Sequence, residues 1–257
     1  MTDRFSVAGD TALITGASSG IGRAIAERFA ADGVDVVICS RSQENVEPVA
    51  TEITESDRPG DALAVECDVT DADAVEALLE ATVEGFGGLD VLVNNAGASF
   101  MANFDGISEN GWRTIVDINL TGTYLCTHAA SEHLKDGGGI VVNLSSVAGI
   151  QGAPYMSHYA AAKSGVNALT ASLGFEWASE GVRVNGIAPG FVATKGVEEQ
   201  MGVSADSVDR STIDRRMGTV DEIADVTQFL ASPASSYIVG QTLEVAGKPA
   251  IMEDPNV

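Results

Sequence analysis

Tyr159 and Lys163 stand four residues apart in Tyr-Ala-Ala-Ala-Lys, thirteen positions after Ser146. On a helix that spacing puts both side chains on one face. A phenol is a poor acid-base group near neutrality, with an ordinary pKa of about 10, but a fixed ammonium beside it stabilises phenolate and draws that value down. The pair would supply a proton to an oxygen that gains charge, which is useful where hydride is delivered to the carbon next to it.

A place for the hydride carrier lies near the N-terminus, in Leu13-Ile14-Thr15-Gly16-Ala17-Ser18-Ser19-Gly20-Ile21-Gly22-Arg23. It reads as a short apolar strand, a glycine-rich turn and a helix start, the makings of a dinucleotide cradle. Glycine lets backbone approach a pyrophosphate, and the helix N-terminus offers unpaired N–H groups and the positive end of its dipole. The spacing of Gly16, Gly20 and Gly22 is Gly-x-x-x-Gly-x-Gly, which departs from the commoner Gly-x-Gly-x-x-Gly fingerprint.

These groups need a scaffold, and the apolar rhythm supplies one. Short apolar runs alternate with longer periodic stretches, the signature of a parallel sheet covered by helices on both faces. Strands are expected at Ala12–Ile14, Asp35–Cys39, Ala62–Cys67, Val91–Asn94, Ile140–Leu144, Arg183–Ile187 and Thr242–Val245, and helices near 20–32, 42–56, 71–85, 109–135, 158–180 and 220–231. Thr70-Asp71 and Thr219-Val220-Asp221-Glu222 carry N-cap signals. The 257 residues fit one large α/β domain without repeats or low-complexity linkers.

The formal net charge is −23, from 37 acidic residues against 14 basic ones. The acids are dispersed along the expected helices, which suggests a solvated shell and, as an expectation, the cytoplasmic enzyme of a halophile. At molar salt the Debye length of about 3 Å screens most of the repulsion. No basic stripe is present that could gather phosphates, so nucleic acid is not expected as a partner. No secretion leader and no membrane-spanning apolar run is read, which again places the chain in the cytoplasm. Cys39, Cys67 and Cys126 are read as reduced core thiols, and neither they nor His128, His133 and His158 have metal-ligand spacing, so no metal is expected. His158 is read as structural or as part of a substrate rim.

Taken in order, Thr15 to Gly22, Asn94-Asn95-Ala96-Gly97, Asn119, Ser146, Tyr159, Lys163 and Pro189-Gly190 resemble the short-chain dehydrogenase/reductase family, from about Gly9 to Gly247. The resemblance implies a single Rossmann-type, doubly wound, seven-stranded parallel sheet and an NAD(P)-dependent oxidoreductase with Asn119, Ser146, Tyr159 and Lys163 as its catalytic set. Ser146 and Tyr159 would hold the substrate oxygen, Lys163 would bind the nicotinamide ribose and lower the Tyr159 pKa, and Asn119 would hold a water that links Lys163 to solvent. Ser145 lacks the thirteen-residue offset, and Tyr155 has Tyr159 rather than a lysine four residues on, so both are set aside.

For the cofactor, the expected contacts are Gly16, Ser18, Ser19, Gly20, Ile21 and Gly22 in the cradle, together with Tyr159 and Lys163. The resemblance adds Asp68 and Val69 at the adenine edge, Asn95, Ala96 and Gly97 after the fourth strand, and Pro189, Gly190, Val192 and Thr194 at the carboxamide. At the end of the second strand Ser40, Arg41 and Ser42 stand where NAD-binding folds place an acid. A guanidinium there can fork to a 2′-phosphate, so NADP(H) is favoured, with NAD(H) as the alternative.

The resemblance further implies a substrate-covering segment at about 195–216 and a homotetramer built on helices 109–135 and 158–180 and the last strand, with Ala168, Ala171, Ser172 and Gly174 permitting close helix approach. The chain ends that strand in Ala246-Gly247-Lys248, where relatives commonly have Asp-Gly-Gly. Among small-molecule substrates a 3-oxoacyl thioester is the leading expectation, with sugar or polyol dehydrogenation and enoyl or dienoyl thioester reduction as alternatives. An idle dinucleotide-binding sensor or assembly subunit is the non-enzymatic alternative.

Overall fold

The computed structural model describes residues 4–7, 9, 11–194, 208–212 and 216–247. Seven parallel strands form one sheet: β1 (Thr11–Thr15), β2 (Asp35–Ser40), β3 (Ala62–Glu66), β4 (Val91–Asn94), β5 (Ile140–Leu144), β6 (Arg183–Pro189) and, at the far edge, the strand Thr242–Val245. The order across the sheet is β3-β2-β1-β4-β5-β6 and then that edge strand. Every expected strand is present, and only Cys67 falls outside its element, since β3 ends at Glu66.

The seven-stranded α/β architecture follows from alternation along each strand. Ala12 and Ile14 of β1 face one layer, where they meet Ile25, Phe29, Val46, Ile53, Ile223 and Leu230. Leu13, between them, faces the opposite layer with Leu78, Leu92, Cys126, Leu134 and Trp177. The first layer is built from α1 (Gly20–Ala31), α2 (Gln43–Thr54) and the C-terminal helix Val220–Ala231. The second is built from α3 (Ala72–Phe86), the helices between β4 and β5, and the long helix Ser157–Trp177. Cys39, Cys67 and Cys126 are buried free thiols in this second layer.

Both cap signals are realised. The Asp71 side chain accepts from the N–H groups of Asp73 and Ala74. Thr219 and Glu222 close a reciprocal capping box at the start of the C-terminal helix.

The expected helix over 109–135 is not continuous. It divides into α4 (Glu109–Val116), a π-helical turn (Asp117–Thr121), α5 (Gly122–Ala129) and α6 (Ser131–Lys135). After β5 come a short α7 (Ala148–Gln151) and then α8 (Ser157–Trp177). Two short strands, β7 (Val192–Ala193) and β8 (Gly218–Thr219), pair in parallel beyond β6. The C-terminal helix is α9 and the edge strand is β9 from here on.

Gly174 serves a different purpose from the one expected. A Cβ there would lie 2.5 Å from the Cα of Gly240 and 3.2 Å from the Val184 carbonyl oxygen. Its missing side chain lets α8 settle against its own sheet, whereas Ala168, Ala171 and Ser172 remain exposed on the outer face. Of the expected covering segment, residues 195–207 and 213–215 lie outside the described residues. No helix among the described residues is long and apolar enough to cross a membrane.

Candidate active site

All strands run the same way, so the ends of β1, β4, β5 and β6 open on one edge of the sheet. Between β1 and β4 the chain connections leave in opposite directions, which opens a crevice at that edge. The glycine-rich turn follows β1, Asn95 to Gly97 follow β4, Ser145 and Ser146 follow β5, and Gly190 follows β6.

The turn after β1 is held from beneath. The Thr15 hydroxyl accepts from the N–H groups of Asn95 and Ala96, both at 3.0 Å, and the Asn95 amide donates to the carbonyls of Thr15 (2.9 Å) and Gly16 (3.0 Å). Gly16 and Gly20 have left-handed φ values of 66° and 58°, which a residue with a Cβ adopts only at a cost. Ser19 is the N-cap of α1 in extended conformation, and its side chain makes no capping bond. With Ser18, Ile21 and Gly22 around it, the first turn of α1 presents its N–H groups as an anion cradle.

Not every expected cofactor residue faces outward. Asn95 is spent on stitching, and Gly22 is buried under it, since a Cβ at Gly22 would fall 2.4 Å from the Asn95 amide nitrogen. Val69 is buried against Gly122, so its backbone is what it can offer at the adenine edge. Asp68 accepts from the Thr70 N–H and hydroxyl, and these bonds, with the nearby Arg41 charge, hold its carboxyl below the ordinary range. Arg41 is exposed, while the Ser40 hydroxyl donates to the Ser42 carbonyl at 2.8 Å and closes the turn on itself. Ser42 caps α2 with a side chain that makes no capping bond.

On the far side Pro189 accepts from the Val147 N–H at 3.0 Å, and Gly190 donates to Val245 at 2.9 Å. Val192 is buried in the small ladder with β8. Thr194 reaches back to the cradle, its Cγ2 3.6 Å from where a Gly20 Cβ would be. The segment after β6 and the glycine-rich turn after β1 therefore approach each other at this edge of the sheet.

The catalytic candidates converge between these loops. Lys163 is buried on α8 and its Nζ donates to the Leu144 carbonyl at 2.7 Å, 5.7 Å from the Tyr159 ring centroid. Burial draws the Lys163 ammonium down to about 8. Burial also pushes the Tyr159 phenol up, against a smaller downward pull from the Ser146 hydroxyl. Desolvation of phenolate is thus the larger influence on Tyr159 in this structure. Ser146 accepts from the Ala148 N–H at 3.1 Å, whereas Ser145 is buried with its hydroxyl donating to the Lys163 carbonyl at 3.2 Å.

Asn119 sits in the π-helical turn, fully buried. Its amide donates to the carbonyls of Ala98 (2.7 Å) and Ile115 (2.8 Å), and its Oδ1 has no partner among the described residues. Gly97 explains where that oxygen looks: a Cβ there would lie 2.9 Å from Asn119 Oδ1 and 3.6 Å from Lys163 Nζ. An acceptor and a buried amine thus face one small space that a side chain would fill. An orphaned acceptor, an anion cradle and a glycine-lined crevice are the features that a dinucleotide's ribose and pyrophosphate require. Sequence reasoning missed two supports, the Thr15 hydroxyl as organiser of the Asn95 turn and the Leu144 carbonyl as seat for Lys163. A carbonyl acceptor leaves no mark in residue type.

Comparison with known proteins agrees with this geometry. A family model described as enoyl-(acyl carrier protein) reductase matches residues 16–247. A 3-oxoacyl-[acyl-carrier-protein] reductase of Synechocystis is 41% identical over 92% of this chain and 95% of its own length. A 3β-hydroxysteroid dehydrogenase 1 of Eggerthella lenta is 38% identical over 93% of each chain. Among solved structures, a short-chain type dehydrogenase/reductase from Mycobacterium marinum superposes with a TM-score of 0.86 at 33% identity, covering 95% of this chain and 97% of that one. The chain belongs to the short-chain dehydrogenase/reductase family and is an NAD(P)-dependent oxidoreductase.

Proposed function

We propose that the protein is an NADPH-dependent reductase of 3-oxoacyl thioesters. The observation that carries the reading is the convergence of Ser146, Tyr159, Lys163 and Asn119 on one crevice beside an anion cradle. The names of the relatives support the substrate class. A bound nicotinamide supplies the hydride. Ser146 and Tyr159 hold the carbonyl oxygen, and the Tyr159 phenol gives it a proton as charge builds there. Lys163 leaves the Leu144 carbonyl to hold ribose hydroxyls and to stabilise the phenolate left behind. The Asn119 Oδ1 accepts from a water that returns the proton from solvent.

Preference for NADP(H) rests on Arg41, exposed at the end of β2, and on the uncapped Ser42. Glu66 occupies the first free N–H of α2, accepting from Gln43 at 3.0 Å, which leaves Arg41 and the Ser42 hydroxyl as the groups to hold a 2′-phosphate. Salt adaptation in a cytoplasm rich in KCl is supported by the excess of acids, since several bases are already tied to carboxylates, as in Arg28 with Asp225 and Lys135 with Glu180. Assembly as a homotetramer is supported by exposed Trp112, Tyr124 and Phe175 on α4, α5 and α8. A substrate-covering role for 195–216 remains part of the same reading.

The test is NADPH oxidation at high KCl with an acetoacetyl thioester and an enoyl thioester, and NADP+ reduction with glucose. The acetoacetyl thioester should be the best substrate, and Tyr159→Phe should abolish its turnover while NADPH binding stays within about twofold. Faster turnover of glucose or of the enoyl thioester, or an active Tyr159→Phe protein, would refute the reading.

A further inference from the structure

The segment that follows β4 is fastened at three points, to the π-helical turn, to the first turn of α8 and to the loop just before that helix. Asn119 Nδ2 donates to the Ala98 carbonyl at 2.7 Å. The Phe100 ring meets the buried His158 edge-on, with centroids 4.3 Å apart, in a space that Gly111 keeps open. The Ala102 N–H donates to the Tyr155 carbonyl at 2.9 Å. This strap and the loop between α7 and α8 therefore form one fixed seam, directly ahead of Tyr159.

Tyr155 lies in that seam with φ at +65°, and it is the one non-glycine residue with positive φ among the described residues. A bulky side chain is disfavoured there, and such backbone persists where its surroundings over-determine it, often at ligand-binding walls. The phenol does not repay the strain through burial, since the residue is 58% exposed. Met101, next to the clamp at Ala102, is 70% exposed. Two large and largely apolar side chains thus stand uncovered beside the Ala102–Tyr155 hydrogen bond, where the strap meets the loop between the Ser146 segment and the helix that carries Tyr159.

We propose that Tyr155 and Met101 form a fixed apolar wall along which the chain of the substrate lies, with Tyr155 as a specificity-determining residue. The inference rests on the reading that Ser146 and Tyr159 hold the substrate carbonyl, and it narrows the substrate to carbonyl compounds with an extended apolar chain. A polyol would need hydrogen-bonding partners along this wall, and a methionine offers almost none while a tyrosine offers a single hydroxyl at its tip. Each methylene laid against such a surface contributes binding that a shorter substrate cannot draw on.

The experiment compares kcat and KM for 3-oxobutanoyl and 3-oxooctanoyl thioesters in the wild-type protein, Tyr155→Gly and Tyr155→Phe. Glycine is at ease at this φ, so the first variant keeps the backbone and removes only the wall. The wild type should prefer the longer substrate. Tyr155→Gly should lose roughly tenfold in kcat/KM on that substrate, mainly through KM, with the shorter one changed less than about threefold, and Tyr155→Phe should behave as wild type. Equal losses on both chain lengths, or a preference that survives Tyr155→Gly, would overturn the wall. A wild type that reduces the shorter thioester without favouring the longer would overturn the wall alone, and one that reduces neither would overturn the underlying reading as well.

Discussion

Two glycines of the same turn should fail in different ways when replaced by alanine. At Gly22 an added Cβ would lie 2.4 Å from the Asn95 amide nitrogen, 2.7 Å from the Gly16 carbonyl oxygen and 3.0 Å from the Ala17 Cα. The other two atoms are backbone, so the Asn95 amide must give way and break its bonds to the Thr15 and Gly16 carbonyls. Losing those two hydrogen bonds costs about 1 kcal/mol each, and overpacking adds roughly 1–3 kcal/mol. For a chain of this size about 4 kcal/mol lowers Tm by roughly 10 °C. At Gly20 the nearest atom to an added Cβ is Thr194 Cγ2 at 3.6 Å, so Gly20→Ala costs only its left-handed backbone, about 1 kcal/mol and a few degrees. That new methyl faces the cofactor crevice, so NADPH affinity should fall more than stability does. Melting curves without cofactor, paired with NADPH titrations at fixed KCl, separate the two effects. A Gly22→Ala protein that melts within about two degrees of Gly20→Ala would refute the reasoning.

Replacement of Arg41 by Asp should shift the ratio of kcat/KM for NADPH over NADH toward NADH by more than about tenfold, since a charge-assisted phosphate contact becomes a repulsion; an unchanged ratio would show that Arg41 does not discriminate. For Lys163 the folded value of about 8 lies below the ordinary value near 10.4, so between them the unfolded chain binds more protons and stability rises with pH. The penalty of burying the ammonium is full below pH 8 and is relieved above it, so the wild type should gain up to about 3 kcal/mol on Lys163→Met between pH 7 and 10; parallel curves of Tm against pH would contradict this. Because acids exceed bases by 23, Tm should climb steadily from low to multimolar KCl as repulsion is screened, and a flat profile would exclude salt adaptation.

The sheet was legible because each strand carries its own apolar run, and both N-caps were legible because the capping bonds of Asp71 and of the pair Thr219–Glu222 span no more than three residues. What escaped depended on distant partners. The periodicity of 109–135 reads as one helix, whereas the π-helical turn falls where the Asn119 amide is claimed by Ala98, twenty-one residues back, as well as by Ile115. The ladder Val192–Ala193 with Gly218–Thr219 is two residues long and joins segments far apart, so no window of sequence holds it. Gly174 offered a small residue on an expected helix, but which neighbour needed the space was decided by Gly240. Tyr155 drew notice only as a false match to the catalytic spacing, and its left-handed backbone follows from a clamp by Ala102 that residue type does not announce.

The same separation between spacing and environment governs Tyr159. A four-residue offset guarantees that the ammonium stands near the phenol, yet the sign of the shift depends on how much water each has lost. Burial penalises phenolate and ammonium alike, so the phenol goes up while Lys163 falls to about 8. A phenol held high is loaded with the proton that carbonyl reduction consumes, and the amine able to stabilise the phenolate keeps its charge only below about pH 8. Reduction should therefore run level across neutrality and decline above pH 8, while alcohol oxidation, which needs Tyr159 to begin without its proton, should rise over that same range. Initial rates in both directions from pH 6 to 10 test this, and rates that climb together above pH 8 would show that Tyr159 and Lys163 do not govern the proton.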